Sequence, residues 1–255
     1  AGDDATLILW NVQTGEELQN ISRPFSGPIG AICWITLGLD NDPGFAYGCA
    51  DGSVHIYRRK EDSAFHFCSM TMAHNGSIEG LTFDPIHRRV ASIGSGSPQV
   101  WTLSVVGNLT SIVPSPPTST FIARSINFCD NGSSVLVGYL ESHELVCYNI
   151  DPWGIKWAKT IPTRIGHATL SCDGLNLVVS NLSNGIDVYA FPSMDRERSF
   201  CYPITRNFPL QVATALQGTI IVSGGDDGAC LVFDRCSGVT LSPLSHGKGE
   251  LFHGL

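Results

Sequence analysis

The segment GDDATLILWNVQTGEEL, residues 2–18, contains the pattern that decides the fold. It begins with a turn and continues as an alternating strand that ends in an aromatic residue, Trp10. It then passes through a second turn at Thr14 and Gly15 into another strand. Near the other end of the chain, GGDDGACLVFDRCSGVTL, residues 224–241, repeats this order with Phe233 in the aromatic place. Short apolar strands separated by turn residues indicate antiparallel β structure.

The aromatic marker recurs along the whole chain. Aromatic residues end equivalent strands at Tyr57, Trp101, Tyr148 and Tyr189, so the markers from Trp10 to Phe233 are 47, 44, 47, 41 and 44 residues apart. A period of this length, with four short strands to the unit, is typical of β-propeller blades. No segment shows a sustained apolar period of 3.6 residues, so we predict an all-β protein with almost no helix.

One repeat can be divided into its four strands. Residues 77–83 are the predicted inner strand, and residues 89–93, 98–103 and 108–113 are the predicted second, third and fourth strands. The other predicted inner strands cover residues 29–35, 121–128, 164–171 and 210–215.

The period predicts one domain, residues 1–255, of five complete four-stranded antiparallel blades and a partial N-terminal blade. The predicted limits are 1–24 for the partial blade, then 25–74, 75–117, 118–162, 163–205 and 206–246, with 247–255 starting a further strand. The partial blade has only a third and a fourth strand, residues 6–10 and 16–21, and therefore an open edge. Two alternatives remain: the tail pairs with this half blade, or the chain is a fragment of a larger, seven-bladed ring.

The segment TLILWNVQTGEEL, residues 6–18, resembles the repeat of the WD-repeat family, and the resemblance extends over essentially the whole chain. The middle repeats depart from the family pattern, because Tyr stands where the family prefers Trp and the Trp-Asp pair occurs nowhere. The resemblance implies a ring of blades, usually seven, that serves as a platform for protein interactions.

The resemblance also implies a buried hydrogen-bond network of a His, a Ser, an Asp and a Trp, which holds loops to strands. His74, Ser92 and Trp101 match three of its places, while Ser95 or Gly96 stands where the family has Asp. In the last full unit, Ser223 and either Asp226 or Asp227 match, but the His is absent and Phe233 cannot donate a hydrogen bond. Two further residues fit the pattern, Trp10 as the first Trp and His246 as the His of a following unit. In a closed ring, His246 would approach Trp10 and Asp3 or Asp4.

In the family, the commoner binding face carries the loops between the fourth and first strands and between the second and third strands. The first kind of loop contains Phe25, Arg164, Arg206 and His246, and the second contains Asp51, Glu141 and Asp226. An exposed aromatic residue and arginines surrounded by acidic residues are typical of protein-binding hot spots. We therefore expect a non-catalytic scaffold or adaptor that binds protein or peptide partners.

The alternative of an enzyme has little support in the sequence. A propeller hydrolase, lyase or quinoprotein would need catalytic groups at the mouth of the channel, where the inner strands offer Glu79, Arg124 and His167. These three come from successive blades, and we interpret them as a wetted channel wall. We find no metal-ligand spacing or catalytic motif and expect no metal and no cofactor, since the Asp226-Asp227-Gly228 turn lacks the oxygen ligands that calcium needs. A purely architectural subunit of a large complex is a further alternative.

Composition narrows the functional classes. A net charge of −8 and a sequence pI near 5.4 argue against non-specific nucleic-acid binding, and we interpret the basic run at residues 58–60 as a solvated strand end. No apolar stretch reaches the roughly 18 residues that a membrane helix needs. The nine cysteines include no closely spaced pair, which favours reduced thiols in an intracellular protein. We interpret the N-x-[ST] sequons as turns; they begin at Asn20, Asn75, Asn108, Asn131 and Asn181.

Overall fold

A computed structural model describes residues 2–38, 40, 42–61, 64–95, 98–114 and 121–245 of the chain. These residues form twenty-two β-strands and two 3-10 helices of three residues each, Pro24–Ser26 and Asp130–Gly132. This content of strands and helices confirms the prediction of an all-β protein. None of the helices in the described ranges has the length and apolar character needed to cross a membrane.

The N-terminal sheet has two antiparallel strands, β1 (Thr6–Trp10) and β2 (Glu17–Ser22). Leu7 pairs with Ile21 across this sheet, and both side chains are buried on the same face. No third strand from the described residues joins the sheet.

Each of the other five sheets has four strands, which gives the predicted five complete blades. The first three contain β3 (Ile29–Leu37), β4 (Asp42–Cys49), β5 (Ser53–Arg59) and β6 (Phe65–Met72); β7 (Gly80–Asp84), β8 (Arg89–Ile93), β9 (Gln99–Leu103) and β10 (Leu109–Ser111); and β11 (Ala123–Cys129), β12 (Ser134–Tyr139), β13 (Glu144–Asn149) and β14 (Gly154–Thr160). The last two contain β15 (His167–Leu170), β16 (Asn176–Ser180), β17 (Gly185–Ala190) and β18 (Arg196–Cys201); and β19 (Val212–Ala215), β20 (Ile220–Gly224), β21 (Ala229–Asp234) and β22 (Leu244–Ser245).

Consecutive strands pair in chain order within every sheet, so each sheet is an up-and-down meander. The predicted second strand at residues 89–93 matches β8, but the predicted inner strand at residues 77–83 is displaced, because β7 starts only at Gly80. Ile78 is fully buried, and its N–H donates to the carbonyl of Cys49 in another sheet. The chain therefore contacts a neighbouring sheet before it enters its own.

The chain divides into two compact units. The first comprises Ala1–Val135 and Tyr148–Ile155, and the second comprises Leu136–Cys147 and Lys156–Leu255.

Two apolar clusters lie on opposite faces of the β3–β6 sheet in the first unit. One joins Ile35, Val54 and Ile56 to Val90 and Trp101 of the β7–β10 sheet. The other packs the β1–β2 sheet against the aromatic residues of β4 and β5; its members are Leu7, Leu9, Ile21, Ile29, Phe45, Tyr47, Cys49 and Tyr57. Each fully buried side chain of this size stabilises the fold by about 1.5–3 kcal/mol.

The second unit has an apolar cluster between the β15–β18 and β19–β22 sheets. Val178, Ile186 and Val188 pack there with Val212 and Ile221, and the rings of Phe200 and Phe233 lie 4.9 Å apart. Phe233 is 2% exposed, so the aromatic marker of this repeat is a packing residue.

Candidate functional site

Three residues of the predicted network are joined by hydrogen bonds inside the first unit. The Nε2 atom of His74, just after β6, lies 2.9 Å from the Oγ atom of Ser92 in β8. The indole N–H of Trp101 in β9 donates to the same Oγ over 3.0 Å. All three residues are buried, and burial lowers the pKa of His74, which favours the neutral imidazole. The arrangement ties two strands to the chain segment that leads into their sheet.

The last sheet contains a related pair that sequence analysis missed. The hydroxyl of Tyr202, directly after β18, lies 3.2 Å from Oγ of the fully buried Ser223 in β20. Ser92 and Ser223 are each the fourth residue of a five-residue strand, and the partner of each follows the preceding fourth strand. Tyr202 thus places a hydroxyl where the family pattern has an imidazole. The feature of the sequence that could have revealed this pair is a Tyr directly after a fourth strand.

Asp226 does not join that pair. Its carboxylate accepts hydrogen bonds from the hydroxyl and N–H of Thr205, at 2.9 and 2.6 Å, and from the N–H of Arg206. Burial acts to raise the pKa of Asp226, but the bonds from Arg206 and Thr205 outweigh burial and hold the pKa below its usual value. This carboxylate holds the loop before β19 against the turn between β20 and β21.

Asp51 has a similar local role. Its carboxylate accepts hydrogen bonds from the N–H of Ser53, over 2.9 Å, and from the hydroxyl of Ser53, over 2.5 Å. The same hydroxyl lies 2.8 Å from Nε2 of His55. Burial acts to raise the pKa of Asp51, but the bonds from Ser53 lower the pKa below its usual value. Asp51 and Asp226 are therefore engaged within the protein.

A buried polar cluster in β16–β18 and their turns was also missed. Asp187 is 2% exposed and accepts hydrogen bonds from the amide of Asn181, over 2.9 Å, and from the hydroxyl of Ser199, over 2.5 Å. The side-chain oxygen of Asn181 accepts three further bonds from the backbone of residues 183–185. Asn181 was correctly placed in a turn, but its buried amide was not foreseen, because alternation alone assigns no partners to polar residues.

Five of the predicted partner-binding residues are exposed. Phe25, in the Pro24–Ser26 helix, and Asp51 lie in the first unit, while Glu141, Arg164 and Arg206 lie in the second unit. His246 lies outside the described residues, as does Gly96 of the predicted network. Trp10 is 55% exposed at the end of β1, so in the described part of the chain it is a surface residue, not a member of a buried network. Its inward-facing neighbours in β1 are Leu7 and Leu9.

The residues considered for a catalytic site have partners within the protein. Arg124 and Glu79 form an ion pair, with Nη1 of Arg124 2.6 Å from the carboxylate. Nδ1 of His167 accepts a hydrogen bond from the N–H of Val212, and burial lowers the pKa of His167 to about 4. Glu79 is thus ion-paired with Arg124, and the lowered pKa of the half-buried His167 favours its neutral imidazole.

The basic run at residues 58–60 does not form a uniform positive patch. It lines an open depression of about 790 Å³ together with Asp40, Asp42 and Glu61, and Arg58 forms an ion pair with Asp42. Such mixed charge fits the interpretation of a solvated strand end better than a phosphate-binding site.

No protein-family model matches the sequence, and no curated protein matches it. Among solved structures, the chain is similar to the crystal structure of the Cps50 (Swd1) β-propeller domain from Myceliophteria thermophila. The TM-score is 0.71 and the sequence identity 16%, over 96% of this chain and 82% of that domain. The fold is a β-propeller. At this identity the likeness establishes the architecture, and the role of individual residues rests on their own geometry.

Proposed function

We propose that this protein is a non-catalytic scaffold or adaptor of the WD-repeat type, which binds protein or peptide partners through loops at the ends of its strands. The observation that carries the proposal is the hydrogen-bonded set of His74, Ser92 and Trp101. This set uses polar residues of the repeat to fix loops on strands rather than to present reactive groups. A rigid sheet framework with exposed loop residues is the usual basis of such binding surfaces.

The state of the other polar residues supports the same function. Glu79 and Arg124 neutralise each other, and Asp51 and Asp226 hold turns together. Phe25, Arg164 and Arg206 are left exposed, and aromatic and arginine side chains are enriched among residues that dominate binding energy. We infer that these three contribute most to binding.

All nine cysteines are free thiols, and Cys172, Cys201 and Cys236 are exposed. Unpaired thiols are typical of reducing compartments, so we propose an intracellular location and intracellular partners.

The experiment compares two triple variants of the full chain. In the test variant, Phe25→Ala, Arg164→Ala and Arg206→Ala remove the proposed contacts. In the control, Val12→Ala, Arg59→Ala and Lys60→Ala remove one apolar and two basic exposed side chains. Val12 lies between β1 and β2, Arg59 is the last residue of β5, and Lys60 follows it. Partners of the wild-type protein are identified by cross-linking and quantitative mass spectrometry.

We expect the test variant to recover at least one partner about tenfold less than the wild-type protein does, while the control recovers it fully. Both variants should keep the wild-type melting temperature. Equal recovery of every partner by the two triple variants would show that these loops are not the binding surface.

A further inference from the structure

The outer strand of one sheet in the first unit has an exposed apolar face. Phe67, Met70 and Met72 of β6 are 48%, 52% and 59% exposed. They lie opposite Tyr57, His55 and Ser53 of β5 respectively, so all three project from the same face. Within the described residues β6 pairs with no strand but β5. The side chain of Gln19 bonds the N–H and the carbonyl of Phe65 at the start of β6, and beyond Phe65 no second strand of the described residues pairs with this edge.

An arginine is held over this face. The guanidinium of Arg23 lies 5.4 Å from the centre of the Phe67 ring, and its Nη2 donates to the hydroxyl of Tyr57 over 3.2 Å. The ring of Phe67 is itself positioned by an edge contact with Tyr57, with centroids 5.7 Å apart. In the described part of the chain, no carboxylate lies within ion-pair distance of Arg23. The charge is therefore oriented by aromatic and phenolic contacts, and no counter-ion for it lies among the described residues.

We name Arg23, Phe67, Met70 and Met72 the β6 surface. Arginine, aromatic residues and methionine are enriched at protein interfaces, and methionine side chains adapt to varied apolar partners. An unpaired guanidinium beside an apolar strip selects a ligand that carries a carboxylate next to apolar groups. The free strand edge favours an extended ligand, whose alternate side chains would lie on the face of Phe67, Met70 and Met72.

We propose that the β6 surface binds an extended segment of a partner protein in which an acidic residue and apolar residues occupy every second position, so that their side chains share one face. A carboxylate of the segment pairs with Arg23, and apolar side chains pack on Phe67, Met70 and Met72. This surface lies on the flank of a sheet and does not include Phe25, Arg164 or Arg206. Its function is therefore separate from that of the loops.

The test uses fluorescence anisotropy at low ionic strength, where charge pairs are least screened. One probe is a short fluorescein-labelled peptide that has one glutamate and two leucines at every second position with serine between them, and the other has glutamine in place of the glutamate. Both are titrated with the full chain and with Arg23→Gln, Met70→Ser combined with Met72→Ser, Phe25→Ala and Arg198→Gln. Arg198 is the matched control, since it is exposed on β18, the outer strand of another sheet. Thermal melts verify that each variant is folded.

We expect the wild-type protein to bind the glutamate peptide about threefold to tenfold more tightly than the glutamine peptide. Arg23→Gln should abolish this preference, and the methionine double variant, which changes only exposed side chains, should weaken both peptides. Phe25→Ala and Arg198→Gln should leave both affinities unchanged.

Three results would overturn the proposal: no measurable binding of either peptide, no preference for the glutamate peptide, or loss of the preference in Arg198→Gln to the same extent as in Arg23→Gln. Because Phe25→Ala is included, failure of the proposed loop interactions can be distinguished from failure of the β6 surface.

Discussion

The hydroxyl of Tyr202 lies 3.2 Å from Oγ of Ser223, and this contact is equivalent to the one between His74 and Ser92 in another repeat. In both cases a residue one or two positions after a fourth strand contacts the fourth residue of the next second strand. The two repeats thus share a connection between equivalent chain segments, with an imidazole as the partner of the serine in one and a phenol in the other. The rings of Tyr202 and Phe233 are also stacked, with centroids 5.9 Å apart.

Tyr202→Phe tests whether this hydroxyl stabilises the fold. The variant keeps the ring beside Phe233 but leaves the buried Ser223 without that partner, and we expect it to lower the free energy of unfolding by about 1–2 kcal/mol. Ser223→Ala and the double variant complete a cycle of urea denaturation measurements. If the effects of the two single substitutions simply add, the two residues are not coupled and the hydrogen bond contributes nothing to stability.

Trp101→Ala tests the packing role of the aromatic marker. Trp101 is 7% exposed in the apolar cluster between the β3–β6 and β7–β10 sheets and donates to Ser92. Loss of a large core aromatic residue should lower the free energy of unfolding by about 3–5 kcal/mol. Thr102→Ala, at an exposed neighbouring position in β9, serves as the control and should change it by less than about 0.5 kcal/mol. Similar denaturation midpoints for the two variants would contradict the assigned role.

The regular part of the fold could be predicted from the sequence because it depends on local patterns. The spacing of aromatic markers correctly predicted the number of sheets, but the prediction that Trp10 joins a buried network is wrong for the described part of the chain, where Leu7 and Leu9 are the buried residues of β1. The start of β7 was placed three residues too early, since periodicity does not reveal that Ile78 bonds to another sheet. Long-range contacts of this kind are specified by packing.

The candidate sites were harder to predict for the same reason. His74, Ser92 and Trp101 follow a spacing that can be read along one repeat. Arg23 follows β2 and Phe67 lies 44 residues later in β6 of another sheet, so only the folded chain brings them together. Because Asp226 lies in a turn, it was predicted both to bind a partner and to join the hydrogen-bond network. In the structure its carboxylate accepts hydrogen bonds from Thr205 and Arg206.

His167 should make the stability of the protein depend on pH. Burial lowers the pKa of His167 from 6.5 to about 4 in the folded protein, so the unfolded chain takes up a proton at a higher pH than the folded chain does. The contribution of the neutral ring is fully present above pH 6.5 and is lost as the pH falls towards 4. We expect the free energy of unfolding to fall by about 1–3 kcal/mol over this range through His167 alone.

The measurement compares urea denaturation of the wild-type protein and His167→Gln at several pH values. Burial also lowers the pKa of His55 and His74, so the variant should lose only part of the pH dependence. A wild-type slope in His167→Gln would mean that another group titrates in this range.

Gly52 and Gly15 provide a matched pair for testing how tightly the turns are packed. Both have a positive φ, 88° at Gly52 and 72° at Gly15, which any L-residue adopts only with strain. A Cβ atom at Gly52 would lie 2.0 Å from the carbonyl oxygen of His74, whereas at Gly15 no atom lies within 4 Å. The carbonyl of Gly52 also accepts bonds from the N–H groups of Ala73 and His74, so the turn cannot move away without losing them.

Gly15→Ala should therefore lower the free energy of unfolding by about 1 kcal/mol, through strain alone. Gly52→Ala should lower it by about 2–5 kcal/mol, because a steric clash adds to the same strain. Urea denaturation of the two variants checks this, and equal losses would show that the chain around His74 yields to the added methyl group.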